Sequence, residues 1–262
     1  MKKVKVNFQG YHGWHIECSA MSMKYLGKQF DIHCGGIDHI PVHHTNEIAQ
    51  SEAAIGKKPW VKYWLHNEFL VLSQGEKMAK SGDNFITVST LIEKGFDPLD
   101  YRYFCLGTHY RTPLAFSFEA LEGAKNARKR LIEKVLELKK TKKNEPTNQD
   151  LKENYLNQFT EQINDDMNTP QALATMWEML KDEGLNAKEK YTLLLKFDAI
   201  FGLDFKKMKE EKVPKDVIKL AEERLKARLS KDWKKADELR QKIAALGYNV
   251  GDTKDGYEVR KV

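Results

Sequence analysis

Residues 43 to 47 read HHTNE, which places His43 and Glu47 four positions apart. On a helix that spacing puts an imidazole and a carboxylate on one face, within reach of a single cation. The same pair also forms ordinary surface hydrogen bonds, so the spacing alone decides nothing. Around it stand Cys18, His33, Cys34, His39 and His44. Thiols and imidazoles are the soft and borderline donors that zinc-like ions prefer, and this many near one turn is unusual for a packing core. Cys18 is the sulfur best suited to join His43 and Glu47. Three ligands leave the fourth corner of a tetrahedron, either open to a substrate or filled from elsewhere.

A second constellation is EKMAKSGDN, residues 76 to 84, a polar loop directly after the apolar FLVL. Lys77 and Lys80 lie three apart on it, and ammonium groups so placed can meet the charge that develops as pyrophosphate leaves a triphosphate. A solvated surface turn is the plainer alternative.

These side chains need a scaffold. FDIHCGGID (30 to 38) and VKYWLHNEFLVL (61 to 72) carry the apolar, β-branched and aromatic residues of strands, and VKVNFQ (4 to 9) alternates like a further one. Between the first two, the alanine-rich stretch from His43, stopped by Gly56 and Pro59, predicts a helix. Strand, helix, strand makes a parallel α/β unit, and ligands in such units sit beyond the C-terminal ends of the strands, where His33 to Asp38 lie. After residue 118 the pattern is helical. Leu121, Ala124, Ala127, Leu131, Val135 and Leu138 share one face of a long helix, and Thr169 with Pro170 predicts the cap and first position of another. Helices are expected at about 187 to 201, 215 to 229 and 232 to 245, and a hairpin around Asp255-Gly256.

The 262 residues are 41% apolar, enough for a core. No run approaches a membrane span, and the first twenty residues lack signal-peptide character, so a soluble, cytoplasmic chain without membrane contact is expected. Three cysteines are too few for a disulfide framework. The net charge of +6 is uneven: residues 1 to 204 hold 27 Lys+Arg against 27 Asp+Glu, and residues 205 to 262 hold 17 against 11. A basic helical end suits nucleic-acid phosphates, although lysine-rich solvated helices share that composition.

GWHIECSAM (13 to 21), FDIHCGGIDHIPVHHTNEIAQSEA (30 to 53), KMAKS (77 to 81), DPLDYRYFCLGTHYR (97 to 111), DDMNTPQALATM (165 to 176) and ARLSKDWKKADELRQKIAALGYNVGDTKDGYEVRK (227 to 261), in that order, resemble the cysteinyl-tRNA synthetases, a family of class I aminoacyl-tRNA synthetases. The resemblance runs from about residue 11 to the end. It implies an ATP-dependent ligase that joins L-cysteine to its cognate tRNA through a cysteinyl-adenylate, with zinc as cofactor and Mg2+ accompanying ATP. In that family two cysteines, a histidine and a glutamate hold a catalytic zinc that binds the substrate thiol. Motif match makes Cys18 the second of those cysteines and His43 and Glu47 the other ligands. His44 competes with His43, since i, i+3 also shares a face, and the family pattern favours His43. Zinc takes a thiolate far better than a hydroxyl, so the substrate's own sulfur becomes the basis of selection. Trp14, His33 and Asp38 fall at cysteine-pocket positions, with Asp38 meeting the substrate ammonium. KMAKS matches the class I lysine loop with Ala79 where serine is usual; Lys77 and Lys80 would be catalytic, with Lys80 on the ATP phosphates.

The implied fold class is α/β followed by all-α. Residues 1–90 would be the second half of a Rossmann-like catalytic domain, 91–118 a connecting region, 119–205 a tRNA-binding helical bundle and 206–262 a basic anticodon-recognition module. The His-Ile-Gly-His type signature and the family's first zinc cysteine have no counterpart before Gly13. The expectation is therefore the C-terminal part of the enzyme, incomplete alone, with the N-terminal half as a further partner in a truncated gene or as a separate polypeptide. Two rivals are a tRNA-binding remnant without catalysis and a ligase joining cysteine to an amino sugar, which has no use for an anticodon module.

Overall fold

The computed structural model describes residues 15–72, 86–141, 148–209, 213–253 and 256–261. The expected strand at 4 to 9 lies outside these residues. The described residues divide into two compact units between Met208 and Lys209.

The first unit opens with α1 (Ile16–Leu26), then β1 (Phe30–Gly36), a 3-10 turn (Ile37–His39), a π turn (Ile40–His44), α2 (Thr45–Ile55) and β2 (Val61–Asn67). β1 and β2 pair in parallel, with Phe30 opposite Val61, His33 opposite Trp64 and Gly35 opposite His66. Helix α2 stops at Gly56, whose φ of 64° is the left-handed cap that glycine adopts without a Cβ clash. Phe30, Trp60 and Val61 are buried and seal the start of both strands, so the unit is closed at that end and its polar residues gather at the other.

The stretch 61 to 72, expected as one strand, is two. β3 (Leu70–Leu72) pairs in parallel not with β1 but with β4 (Leu114–Phe116). The break has a physical cause at Glu68 and Phe69. The Glu68 N–H donates to the Tyr110 carbonyl at 2.8 Å and the Leu114 N–H to the Phe69 carbonyl at 3.0 Å, so the chain changes partner there. Between β3 and β4 lie α3 (Val88–Glu93) and α4 (Pro98–Leu106), capped by Thr87 and Asp97. Leu91, Phe96, Phe116 and Leu121 form their core.

Helices α5 (Phe118–Lys140), α6 (Gln149–Asn164), α7 (Thr169–Lys181) and α8 (Ala187–Phe201) complete the unit. The expected stripe of α5 turns inward at Leu121, Ala124, Leu131 and Val135. Leu131 and Val135 join Phe159, Met176, Phe197 and Phe201 in the largest described core, where the rings of Phe159 and Phe197 stack at 4.0 Å. The cap of α7 is Asn168 rather than Thr169: the Asn168 side chain accepts the Gln171 N–H, and Thr169 becomes the first helical residue. Asparagine is the better cap, and the left-handed Asp166 and Met167 (φ 52° and 55°) deliver it to that position.

The second unit holds α9 (Lys215–Leu229), α10 (Trp233–Ala245) and the hairpin of β5 (Tyr248–Thr253) and β6 (Gly256–Lys261). Val217, Ala221, Ile243 and Val250 form its core. Arg224, 4% exposed, grips Asp252 of β5 with both terminal nitrogens, at 2.8 and 3.2 Å, and so ties helix to hairpin.

Candidate metal centre

The donors converge from successive elements of the α/β unit. α1 presents Cys18, β1 presents His33, the turns after β1 present His39, His43 and His44, and α2 presents Glu47. Parallel pairing of β1 and β2 puts the C-terminal ends of both strands side by side, so His66 of β2 arrives at the same place. Gly35 makes the crowding possible. A Cβ there would stand 2.5 Å from His44 Cε1 and 2.9 Å from His39 Nδ1, so only glycine lets both rings lie against the strand.

Glu47 is fully buried, and neither carboxylate oxygen has a hydrogen-bond partner. His33 Nε2 lies 3.1 Å from Oε2, His43 Nε2 3.7 Å from Oε1 and His44 Nε2 3.8 Å from Oε2. The His33 approach is close enough for a hydrogen bond but lacks the alignment of one. Buried polar atoms are nearly always paired, so a buried carboxylate with two orphaned oxygens facing imidazole nitrogens is a donor set arranged around missing positive charge. Burial alone pushes the Glu47 carboxyl up to about 7. Burial, then the Glu47 charge, raises the Cys18 thiol. Burial and neighbouring imidazoles hold His33 and His43 below the ordinary histidine range and bring His44 to about 4. The imidazoles are therefore neutral near pH 7, with lone pairs available for a metal.

Two donor triads result. Cys18, His43 and Glu47 offer ligand atoms within 4.8 Å of one another, and so do His33, His44 and Glu47. Outer contacts fix the rings: His15 Nδ1 lies 2.7 Å from His43 Nδ1, and His66 Nε2 lies 2.7 Å from His44 Nδ1. In both rings Nδ1 is thereby engaged and Nε2 faces Glu47, which is how outer contacts orient metal ligands. An open cavity of about 410 Å³, lined by Cys18, Met21, Ser22 and the imidazoles, gives small molecules access.

The structure thus brings together Cys18, His43 and Glu47, and sets His33 on the same carboxylate. Asp38 is exposed in the 3-10 turn and is not among the cavity's lining residues. Trp14, Lys77 and Lys80 lie outside the described residues. His15 and His66 escaped the sequence reading; for His66 the parallel pairing of two predicted strands was a usable signal.

Comparison with known proteins gives the cluster its context. A model described as the tRNA synthetases class I (C) catalytic domain matches residues 7–126, a DALR domain model matches 158–206, and a model of the cysteinyl-tRNA ligase anticodon binding domain matches 210–260. The chain is 46% identical to a cysteine–tRNA ligase of Treponema denticola, over 93% of this chain and 55% of that protein. It is 40% identical to that of Borrelia hermsii, over 96% and 56%, and 42% identical to cysteine–tRNA ligase 1 of Burkholderia lata, over 95% and 51%.

Along most of its length the chain is similar to the cysteinyl-tRNA synthetase family.

It spans about half the length of the curated relatives it matches. Among solved structures, the ternary complex of Agrobacterium radiobacter K84 agnB2 LeuRS with tRNA and LeuAMS matches with a TM-score of 0.51 at 16% identity, over 66% of this chain and 25% of that one. That likeness is one of fold, and it agrees with a class I synthetase catalytic architecture followed by helices. Within this chain, the metal-donor cluster lies inside the part matched by the catalytic model, and the Arg224 clasp inside the part matched by the anticodon-binding model.

Proposed function

We propose that this chain supplies the zinc-binding and tRNA-binding parts of a cysteine–tRNA ligase, which activates L-cysteine with ATP and transfers it to its tRNA. The observation that carries the proposal is the orphaned, buried Glu47 carboxylate converging with Cys18 and His43. These residues fit a zinc ion in chemistry and placement, and they leave coordination open on the cavity side. A bound zinc would supply an electrophile that accepts a thiolate and discriminates against the hydroxyl of serine.

The chain's own residues do the rest. His15 holds the His43 ring with Nε2 toward the site. Met21, Ser22 and His33 wall the cavity in which the amino acid would lie; Trp14 and Asp38 are assigned to the substrate by motif match alone, Asp38 to its ammonium. Lys77 and Lys80 would meet the phosphates of Mg2+-bound ATP, with Lys80 balancing charge as pyrophosphate leaves. Residues 1–90 would act in catalysis and 91–118 connect them to a tRNA-binding bundle at 119–205. Residues 206–262 would read the anticodon. In that module Trp233 is 56% exposed, with the Arg228 guanidinium 5.4 Å above its ring. An exposed indole beside a cation is a platform on which an unpaired base can stack.

Activity is proposed for this chain together with the remaining part of the catalytic domain, in one polypeptide or in two, in the cytoplasm. No helix among the described residues is long and apolar enough to cross a membrane. Adding the complementary half from a relative and measuring cysteine-dependent exchange between ATP and pyrophosphate tests this. Exchange that Cys18→Ala abolishes supports it; a soluble, zinc-loaded complex with no exchange overturns it. One alternative is a tRNA-binding chain without catalysis. It predicts no exchange in any complex and tRNA affinity that Cys18→Ala leaves intact. An amino-sugar ligase has no use for the region that matches an anticodon-binding model.

A further inference from the structure

The zinc position just proposed uses one oxygen of Glu47. Oε1 is the atom 3.7 Å from His43 Nε2, whereas Oε2 faces a different pair, His33 Nε2 at 3.1 Å and His44 Nε2 at 3.8 Å. We infer that His33, His44 and Oε2 form a second divalent-cation position, and that Glu47 bridges it to the position made by Cys18, His43 and Oε1. The inference rests on the zinc assignment for the first position and extends it.

Three observations carry it. If His33 and His44 were packing residues alone, Oε2 would be expected to accept a hydrogen bond, yet it is buried without one. Second, His44 is prepared in the same way as His43: its Nδ1 is engaged, here by His66 at 2.7 Å, and its Nε2 is left facing the carboxylate. Holding a ring by its far nitrogen is characteristic of a metal ligand. Third, indole rings pack closely against both imidazoles. The His33 ring lies 4.8 Å from Trp64 and 5.8 Å from the fully buried Trp60, and the His44 ring lies 4.8 Å from Trp64.

The donor chemistry differs between the positions. Cys18, His43 and Oε1 include a thiolate and suit a soft or borderline ion such as zinc. His33, His44 and Oε2 are a two-imidazole, one-carboxylate set with open coordination, suited to zinc, cobalt(II), iron(II) or manganese(II). A carboxylate between two ions is the arrangement of two-metal sites, with the ions about 3.5–4 Å apart.

Cobalt(II) separates the two positions by spectrum, because only a thiolate ligand gives an intense sulfur-to-cobalt band in the near ultraviolet. The whole chain, stripped of metal and kept reduced, is titrated with cobalt alone, following the band and the bound metal. The expected result is about two equivalents, the band accompanying only one of them. Cys18→Ser should remove the band and keep one equivalent; His33→Ala, or the milder His33→Gln, should keep the band and lose one. Saturation of the wild-type chain at one equivalent with the band, unchanged in both His33 variants, overturns the second position and leaves the first standing. Absence of the band in the wild-type chain overturns the first position and the shared bridge with it. The wild-type stoichiometry decides even if a variant fails to fold.

Discussion

Glu47 is the residue on which the centre turns. Its carboxyl is raised to about 7, so in the metal-free protein the folded state holds a proton that the unfolded chain has released. A carboxyl raised in this way lowers stability as pH climbs from its ordinary value of 4.5 toward 7, and the penalty is complete above that. His44 works in the opposite sense: depressed to about 4, it lowers stability as pH falls from 6.5 toward 4. The two slopes oppose each other over much of one window, so the raw profile of the metal-free chain hides both. The difference between Glu47→Gln and wild type isolates the carboxyl. In urea unfolding with chelator present, the variant should gain on wild type by up to about 3 kcal/mol between pH 4.5 and 7. A pH-independent difference would show that Glu47 ionises as freely as in water. That Glu47 could share a face with His43 was legible from their spacing, but its isolation from hydrogen-bond donors was not, since a single sequence does not say which side chains a fold will bury together.

At the scale of elements, Gly35 and Arg224 each hold parts of the chain together. Gly35→Ala would place a methyl group 2.5 Å from His44 Cε1, and the ring must move. Displaced ligands and outer contacts cost metal affinity on the order of 10–100-fold, which competition with a chelator would read. Unchanged affinity would mean that His44 plays no part in binding. Arg224→Ala removes both bonds to Asp252, but Asp252 is 41% exposed and regains water, so a loss of about 1–2 kcal/mol is expected in the unfolding of the chain. Asn168→Ala should cost about 1 kcal/mol through the lost cap, whereas Thr169→Ala should cost less. The helices were legible because their apolar periodicity and caps are local. Two misreadings came from non-local or competing contacts: the backbone bonds at Glu68 and Phe69 split a continuous apolar run, and Asn168 outcompeted Thr169 for the same N-terminus.

Across the whole molecule the charge is unevenly placed. The positive excess after residue 204 overlaps the region matched by the anticodon-binding model, so tRNA affinity should fall steeply with salt, and Trp233→Ala should weaken binding by roughly 1–3 kcal/mol, the worth of one stacked base. Filter binding across a salt series would read both, and an affinity indifferent to salt would remove the electrostatic argument. Fold class was legible from motifs, whereas the outer contacts of His15 and His66 depended on a helix start and a strand end meeting the cluster in space. The central claim is that Cys18, His43 and Glu47 hold a zinc that selects a thiol. Zinc X-ray absorption of the chain before and after adding cysteine tests it most directly. The account predicts one sulfur scatterer at rest, lost in Cys18→Ser, and an additional one with cysteine but not with serine; a zinc spectrum without sulfur, or one that cysteine leaves unchanged, would contradict it.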